Sequence, residues 1–415
     1  MLAFQKRDRN EAGTTSLAST ARAKLGERHR HEAKNLTLLA FTYAGFFGRS
    51  AGEQLFLAPT EIVGAINDLV PLGPFEVICV DFPEYTLLEV IMPRVLVTAS
   101  FDENLLARQT PHASGCWEDY EFLFAPDGDP VDAWLVYDDL QQPMTQVCPP
   151  ANTLLITGEP ASLRQYRSRY TGQFGQVWSS HTTIQHPHTT LRNEAQHWHY
   201  GLWSGSVHGR ALDYDDLVAL QPPAKPKLLS VLCSSKSLTA DHRRRLEFVQ
   251  YLQAELGEQI DVFGSGIRSV ADKSEAIWPY KYHIVLENDH SDHFMTEKLP
   301  DAFLGWSYPL YFGGSEAYHR FPEGSFTAID IYQPEKSLNL IRNVLASDTY
   351  EQSLERIAEA RNNVLVKHNL FAMLVDYWRV NLVKQSASAV TLLPKSHRAS
   401  LVVQQLKRSL VGRAA

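Results

Sequence analysis

The chain has 415 residues, of which 44% are hydrophobic and 21% charged, and 39 Lys and Arg against 47 Asp and Glu give a formal net charge of −8. This composition excludes a disordered or collagen-like chain, and the acidic balance argues against a nucleic-acid binder that works by neutralising phosphates. A length beyond the roughly 250–300 residues at which one hydrophobic core stops growing predicts two domains. Any anionic ligand must therefore be bound by a few cations at defined positions.

The first 35 residues are predicted to form a polar arm, because they carry eight Lys and Arg and four Asp and Glu without a continuous apolar run. This pattern predicts neither a signal peptide nor a membrane anchor, and no later stretch approaches the ~18 apolar residues of a membrane span. The four cysteines lie far apart with no CxxC spacing, which fits neither a disulfide framework nor a zinc site. We expect a protein of a reducing compartment, the cytoplasm.

Short apolar runs that alternate with helix-like stretches follow the arm. They predict an N-terminal α/β domain at 36–205, with strands at 36–43, 75–81, 94–98, 133–137 and 153–157. The composition then shifts to Gly, Asp and Pro and ends in Gln-Pro-Pro-Ala-Lys-Pro-Lys, with no helical or strand period. This shift predicts a linker at 206–227.

The second half has a more regular alternation and predicts a C-terminal domain at 228–384. The expected strands are 228–233, 260–263, 283–286, 309–312 and 326–329, and the expected helices are 241–256, one from Glu297, and 316–320. Strand, helix and strand at this spacing predict a parallel, doubly wound sheet, whose ligands bind at the carboxyl ends of its strands.

A strand, a polar loop and a helix follow one another between Tyr280 and Gly314. Thr296 is a candidate N-cap, so Lys298 falls in the first turn, where a positive charge opposes the helix dipole. An anion bound at this helix end would explain the placement, since backbone N–H groups and the ammonium would act on one phosphate. The alternative is an exposed lysine paired with Glu297 or Asp301.

The same segment resembles glycosyltransferase family 10, the α1,3/4-fucosyltransferases. The family signature is matched here by Tyr280-Lys-Tyr282, Leu286-Glu-Asn288, Thr296-Glu-Lys298 and Pro309-Leu-Tyr-Phe-Gly313. The resemblance extends upstream through the strand and small-residue loop of 227–236 and through Arg245 with the apolar residues three and seven positions later. It implies a GT-B fold, in which two Rossmann-like domains face a cleft and the C-terminal domain binds GDP-fucose.

The resemblance also implies roles for single residues of the donor domain. Glu297 would meet the ribose, Lys298 and Arg245 the diphosphate, and Asn288 and Phe294 the nucleoside. The remaining predicted donor-binding residues come from the matched strand and loop: Ser234, Ser235 and Tyr282. Three consecutive arginines at a helix start are also typical of a solvated surface, which is our interpretation of Arg243 and Arg244.

Glu159 is the predicted catalytic residue. A buried strand ends in Gly158 and presents this carboxylate at its tip, and family enzymes have a related acidic motif whose glutamate is the proposed general base. Partial burial would raise the pKa of such a base. The alternative is a loop glutamate that caps a turn before Pro160.

Other polar and aromatic patterns are compatible with both a functional and a purely structural role. Asp127-Gly-Asp129 has the spacing of a metal-binding motif, but the flanking prolines indicate an exposed turn, and we predict no metal. The stretch downstream of Glu159 is rich in histidine and aromatic residues, which are more often core but could also contact an acceptor sugar. The acceptor candidates are Trp178, His181, Trp198 and Tyr200.

Basic and apolar residues alternate from Lys395 onward, which predicts a basic amphipathic tail at 385–415 that lies on an anionic membrane or packs on the protein. The resemblance implies an inverting fucosyltransferase that uses GDP-fucose, requires no cofactor and acts on a glycan, with α1,3 transfer to a GlcNAc- or Glc-type unit. The alternatives are a GT-B transferase with another nucleotide sugar and a non-catalytic glycan- or nucleotide-binding module. The sequence does not predict the oligomeric state.

Overall fold

The computed structural model describes residues 53–59, 77–81, 85–195, 197–235 and 240–395, with side chains described from Met92 onward except that of Asn104. The chain divides after Pro93 into two units. The first contains an antiparallel sheet of strands β1 (Glu53–Pro59), β2 (Val77–Asp81) and β3 (Tyr85–Ile91) in the order β1-β3-β2. The predicted strand at 75–81 is present as β2, which pairs antiparallel with β3. The predicted strand at 36–43 lies outside the described residues.

The second unit contains two larger sheets. Its strands are β4 (Arg94–Ala99), β5 (Cys116–Trp117), β6 (Tyr120–Leu123), β7 (Ala133–Tyr137), β8 (Met144–Cys148), β9 (Thr153–Ile156), β10 (Gln176–Ser179), β11 (Thr189–Leu191), β12 (Lys227–Leu232), β13 (Ile260–Phe263), β14 (Tyr280–Leu286), β15 (Tyr308–Phe312), β16 (Thr327–Ala328) and β17 (Ser388–Leu392). Its α-helices are α1 (Asn104–Ala107), α2 (Ser168–Thr171), α3 (Tyr214–Ala219), α4 (Ala240–Leu256), α5 (Ser274–Ile277), α6 (Lys298–Leu304), α7 (Glu316–Arg320), α8 (Pro334–Leu345), α9 (Thr349–Gln352), α10 (Leu354–Val366) and α11 (Leu370–Asn381).

The first of these sheets has seven strands in the order β11-β10-β9-β7-β4-β6-β5, parallel except where β5 meets β6. Successive side chains of a strand point to opposite faces, so each strand contributes to two cores. Val95 and Leu135 pack on one face, and Leu96 and Val136 pack on the other. The buried apolar runs predicted β4, β7 and β9 correctly but missed the other four strands, and β9 lies near the middle of the sheet.

The C-terminal part of the described chain returns to this first sheet. Helix α11 packs on one face through Phe371 and Trp378, and β17 pairs antiparallel with β8. The predicted end of the C-terminal domain at 384 and the predicted start of a tail at 385 are therefore wrong for these elements. Residues 396–415 lie outside the described residues, so their membrane contact stays a prediction.

The second sheet consists of five parallel strands in the order β13-β12-β14-β15-β16, as the doubly wound pattern predicts. Helix α6 begins at Lys298, one residue after the predicted start, and the hydroxyl of Thr296 accepts the Lys298 N–H at 3.3 Å. The placement of Lys298 in a first turn is confirmed.

The predicted linker at 206–227 lies between the two sheets and is more ordered than its composition suggested. It contains helix α3, whose start is fixed by a reciprocal capping box between Asp213 and Asp216. Leu217 of this helix is fully buried in the core of the second sheet. The prediction that this segment lacks helical structure was wrong.

None of the described helices has both the length and the apolar run that crossing a bilayer requires.

Candidate functional site

The carboxyl edges of the two parallel sheets face each other in the second unit. The turn that carries Glu159 follows β9, and the loop at 287–295 follows β14 of the other sheet. Ser162 hydrogen-bonds the side chain of Asp289, and the side-chain amide of Asn193 donates to the carbonyl of Met295. These contacts bring the predicted catalytic turn and the predicted donor loop together across one cleft.

Lys298 lies at the donor side of this cleft with a fixed geometry. Its Nζ is 2.9 Å from the hydroxyl of Thr296 and 3.4 Å from Oε2 of Glu287, and 25% of its side chain is exposed. The fully buried Glu287 accepts the Thr296 N–H at 2.8 Å and its hydroxyl at 2.7 Å. The glutamate thus anchors the start of helix α6 and orients an ammonium that still reaches solvent.

Arg245 approaches the same edge from helix α4. It is buried, and its Nη1 donates to the carbonyl of Leu286, the last residue of β14, at 3.1 Å. Burial lowers the pKa of this guanidinium, and the neighbouring Cys233 and Glu287 oppose that shift. Cys233 directly follows strand β12. Burial raises the pKa of its thiol, and the positive charges of Arg245 and Lys298 both oppose this shift. The two predicted phosphate-binding cations are therefore close neighbours.

The two predicted serines follow Cys233 directly. Ser234 is half-buried and Ser235 exposed, and the Ser235 N–H donates to the carbonyl of Ser265 at 3.0 Å. Gly266 leaves room for this loop, since a Cβ there would lie 2.2 Å from the Ser235 hydroxyl. The serines thus lie at the carboxyl edge of β12, beside Arg245.

Glu297 lies next to Lys298 but depends on a cation that the sequence did not reveal. Its Oε1 is 2.7 Å from Nζ of Lys273, which also lies 2.8 Å from Asp301. Burial alone would raise the pKa of the Glu297 carboxyl, but Lys273, Lys298 and His199 bring it well below its ordinary value. Glu297 is therefore ionised and accepts hydrogen bonds, as contact with ribose hydroxyls would require.

His199, Glu297 and Asp301 form a group of metal-ligand type among the described residues. The Lys273 ammonium already bridges the two carboxylates, and burial, which would lower the pKa of this lysine, is outweighed by Asp301 and Glu297. A divalent cation would have to displace that ammonium. The donor set of this group therefore fits the lysine better than a metal ion.

Two predicted donor-binding residues, Phe294 and Tyr282, are corrected. Phe294 is 0% exposed, so its ring cannot stack on a bound base. Tyr282 is also buried, and its hydroxyl accepts the Tyr350 N–H at 3.1 Å and faces the carbonyl of Ser347 in the core. Both residues stabilise the sheet and its loop. Asn288 is half-buried in the loop after β14 and stays a candidate.

The Glu159 turn is held by polar groups on both sides. The Gly158 N–H donates to the hydroxyl of Tyr166 at 2.9 Å, and that hydroxyl donates to the buried Asp138. A Cβ at Gly158 would lie 3.0 Å from Cβ of Asp138, which explains the glycine. Asp138 is also bound by Lys395 at 2.8 Å, so this residue of the predicted tail belongs to the catalytic edge. The half-buried Glu159 is thus presented on a fixed turn.

The predicted acceptor residues are mostly core. Trp178, Trp198 and Tyr200 are at most 1% exposed, so their rings cannot offer a platform to a sugar. His181 contacts the Glu159 turn, because its Nε2 lies 2.6 Å from the carbonyl oxygen of Glu159. A carbonyl only accepts, so this nitrogen carries the proton. Clustered aromatic residues in a sequence do not distinguish a core from a binding surface, which explains the error.

Sequence reasoning missed Lys273 and Glu194. Glu194 is fully buried behind the Glu159 turn, where its Oε1 accepts the hydroxyl of Thr157 at 2.9 Å and the Ser180 N–H at 2.8 Å. Burial raises the pKa of its carboxyl to about 7. Neither residue stands in a recognisable motif, and their partners are distant in sequence, so no local signal was present.

Two parallel sheets whose carboxyl edges face one cleft constitute the GT-B class of fold, and the predicted fold class is confirmed. The cleft combines two cations on one side with a carboxylate on the other.

Comparison with known proteins identifies the family of the donor side. Residues 222–364 match the family model described as glycosyltransferase family 10 (fucosyltransferase), C-terminal part. The 4-galactosyl-N-acetylglucosaminide 3-alpha-L-fucosyltransferase of Gorilla gorilla gorilla is 33% identical over 99 residues, 23% of this chain and 27% of that protein. The 3-galactosyl-N-acetylglucosaminide 4-alpha-L-fucosyltransferase of Pan troglodytes is 31% identical over 120 residues, 28% of this chain and 31% of that protein.

Solved structures were compared as well. A crystal structure of an alpha1,3-fucosyltransferase with GDP has a TM-score of 0.45 and 16% identity, and the match covers 71% of this chain and 92% of that one. This chain spans less than a third of the length of the curated relatives named above. The match of residues 222–364 to the family model confirms the resemblance that the motifs indicate.

Proposed function

We propose that the protein is an inverting fucosyltransferase that moves L-fucose from GDP-fucose to a hydroxyl of a glycan, in α1,3 linkage to a GlcNAc- or Glc-type unit. One observation carries the proposal: Lys298 and Arg245 lie at the carboxyl edge of the family 10 sheet, and the Glu159 turn lies on the facing edge. Cations for a diphosphate and a base for an acceptor hydroxyl are thus available on opposite sides of one cleft.

The donor side would bind the nucleotide through ionic and hydrogen-bonding groups. Lys298 and the backbone at the start of helix α6 meet the diphosphate, and Arg245 adds a second positive charge. Glu297, kept ionised by Lys273, accepts hydrogen bonds from the ribose hydroxyls. As the glycosidic bond to phosphate breaks, negative charge grows on the leaving GDP, and these cations stabilise it.

The facing side would activate the acceptor. Glu159 takes the proton of the attacking hydroxyl while that oxygen forms a bond to the anomeric carbon of fucose, and GDP leaves from the opposite face of the ring. The sugar configuration is thereby inverted. We propose no metal for this step, because the Lys273 ammonium already neutralises the buried carboxylates beside the nucleotide. Transfer is expected to persist in excess EDTA.

The test combines transfer assays with nucleotide binding. GDP release from GDP-fucose would be measured with β-galactosides and N-acetylglucosaminides, and the product linkage determined by mass spectrometry. Glu159→Gln should reduce kcat about 100-fold or more with nearly unchanged GDP affinity, because only the base is lost. Lys298→Ala should weaken GDP binding about tenfold or more, because a charge-assisted contact is lost.

Matched controls come from exposed residues. Lys336 lies in the first turn of helix α8, and Glu258 lies on the surface next to helix α4. Lys336→Ala and Glu258→Gln should leave both readouts unchanged. Transfer from another nucleotide sugar but not from GDP-fucose would replace the donor in this proposal. GDP binding without any transfer would indicate a binding module and refute the catalytic role.

A further inference from the structure

The dipeptide Asn193-Glu194 lies between the two sides of the cleft and is not part of any motif noted in the sequence. It follows strand β11, and Ala195, the next residue, has a φ of +48°, a backbone conformation that costs free energy in a residue other than glycine. The surrounding contacts must hold this turn in place.

Glu194 contacts the catalytic side from behind. Its Oε1 accepts the Thr157 hydroxyl and the Ser180 N–H, the residues that follow β9 and β10 directly. Its Oε2 is buried and has no hydrogen-bond partner among the described residues. A buried carboxyl costs free energy unless donors satisfy it, and the donors that other residues supply here belong to Thr157 and Ser180, at the ends of β9 and β10.

A chain of hydrogen bonds extends from this carboxyl to Glu159. The hydroxyls of Thr157 and Ser179 lie 2.7 Å apart, and Ser179 Oγ accepts the His181 N–H at 3.0 Å. The His181 ring then donates from Nε2 to the Glu159 carbonyl at 2.6 Å. Both ends of the turn at 157–159 are therefore fixed through contacts that begin at Glu194.

Asn193 contacts the donor side. Its side-chain amide donates to the carbonyl of Met295, immediately before Thr296, which anchors the start of helix α6 on Glu287. Its Oδ1 accepts the Ala195 N–H at 2.9 Å, and its own carbonyl accepts the indole N–H of Trp178 at 2.7 Å. The backbone of the dipeptide is thus locked between the first sheet and the donor loop.

We propose that Asn193 and Glu194 are positioning residues for the transfer reaction: they tie the turn that carries the base Glu159 to the loop that carries Lys298. The placement of the base then depends on the conformation of the donor loop. This inference rests on the proposed function for its kinetic readout, although the mechanical link itself is independent of which sugar is transferred.

The kinetic test removes the link at either end. Glu194→Met keeps the side-chain volume without acceptors, and Thr157→Val removes the same hydrogen bond from the other partner. Each should lower kcat about 10- to 100-fold with little change in the KM for GDP-fucose, because a small displacement of the base is costly. The double variant should lose less than the sum of the two single losses, since both variants break the contact between Glu194 and Thr157. Glu194→Gln retains an acceptor oxygen and should restore most of the activity.

A second readout does not depend on activity. Hydrogen exchange should become faster in the peptide containing Thr157 and Gly158 for Glu194→Met and Thr157→Val, and Asn193→Ala should have this effect on the peptide containing Met295 as well. Glu121→Gln is the matched control, because Glu121 is a buried glutamate of the same sheet that pairs with Arg94. That variant should change neither readout.

The outcomes separate the two proposals. Wild-type protein without transfer from GDP-fucose would overturn the proposed function, and the exchange experiment would still decide whether the dipeptide fixes the turn. Unchanged kcat and unchanged exchange in Glu194→Met would refute the positioning role. Equal losses in Glu194→Gln and Glu194→Met would also refute it, because the retained acceptor would then be irrelevant.

Discussion

At the scale of single residues, the structure separates what a motif can specify from what it cannot. Lys298 of the family 10 motif was predicted as a site residue, whereas Glu287 and Thr296 matched the motif without a predicted ligand contact, and the three form one hydrogen-bonded group. The cation that holds Glu297 is Lys273, 24 positions earlier in the chain. Motif spacing reports neighbours along the chain, whereas this ion pair depends on how a loop after β13 folds back.

Glu194 gives a residue-scale prediction about pH. Burial raises the pKa of its carboxyl from 4.5 to about 7, so the folded protein binds this proton more tightly than the unfolded chain does. Its contribution to stability is therefore fully present below pH 4.5 and is lost as the pH rises through about 7. The loss across this window should be about 3 kcal/mol.

Urea unfolding of the wild type and Glu194→Gln across this pH range provides the measurement. The difference in unfolding free energy between the two proteins should shift in favour of the variant as the pH rises, because glutamine does not titrate. Glu121→Gln, which removes another buried carboxyl of the same sheet, serves as the control. A pH-independent difference between wild type and Glu194→Gln would show that the carboxyl does not titrate in this window.

At the scale of elements, the packing of helix α11 is an example of a contact that the sequence pattern does not predict. The helix begins with six consecutive apolar residues, Leu370 to Val375, which indicate burial but do not identify the sheet that buries them. Phe371 and Trp378 pack on one face of the first sheet, although helix α11 follows the donor half in the sequence. The parallel strands of the second sheet were predicted well because a strand buried on both faces has a continuous apolar run, whereas β6, β10 and β11 of the first sheet were missed.

Helix α11 should therefore stabilise the first sheet. The Phe371 ring lies 4.8 Å from that of Phe122 and 5.9 Å from that of Phe124. Phe371→Ala should reduce the free energy of unfolding by about 3–5 kcal/mol, since it leaves a cavity between the helix and the sheet. Val380 of the same helix is 83% exposed, and Val380→Ala should change this free energy by about 0.5 kcal/mol at most.

Urea unfolding followed by tryptophan fluorescence would measure both variants. GDP binding should survive in Phe371→Ala at temperatures where the donor half remains folded, because the core of the second sheet does not include this helix. Equal stability of Phe371→Ala and the wild type would contradict the packing described for helix α11.

At the scale of the whole molecule, buried histidines should make the protein acid-labile. Burial lowers the pKa of His283 to about 3 and those of His197 and His368 to about 4. These groups stay neutral in the folded protein while the unfolded chain protonates them below 6.5. The stability they provide is present above pH 6.5 and is lost as the pH falls toward about 4. For the buried His283, whose pKa is about 3, the loss reaches about 5 kcal/mol only when the pH falls to about 3.

The test compares unfolding midpoints at neutral and acidic pH. The wild type should lose stability as the pH falls from 6.5 to about 4, because the histidines become protonated on unfolding. Protonation of Glu194 in the folded protein offsets a smaller part of this loss. His283→Asn should reduce this loss, because asparagine does not bind the extra proton. Equal stability of the wild type at both pH values would refute the assignment of neutral buried histidines.

The return of helix α11 and strand β17 to the first sheet also bears on how the chain folds as it is synthesised. The core of the second sheet is complete in sequence at Leu365, whereas the first sheet still lacks Leu370 to Trp378 at that point. Domains usually fold in the order in which they leave the ribosome. The donor half can therefore fold first. One face of the first sheet, whose strand β9 leads to Glu159, stays uncovered until helix α11 has been synthesised.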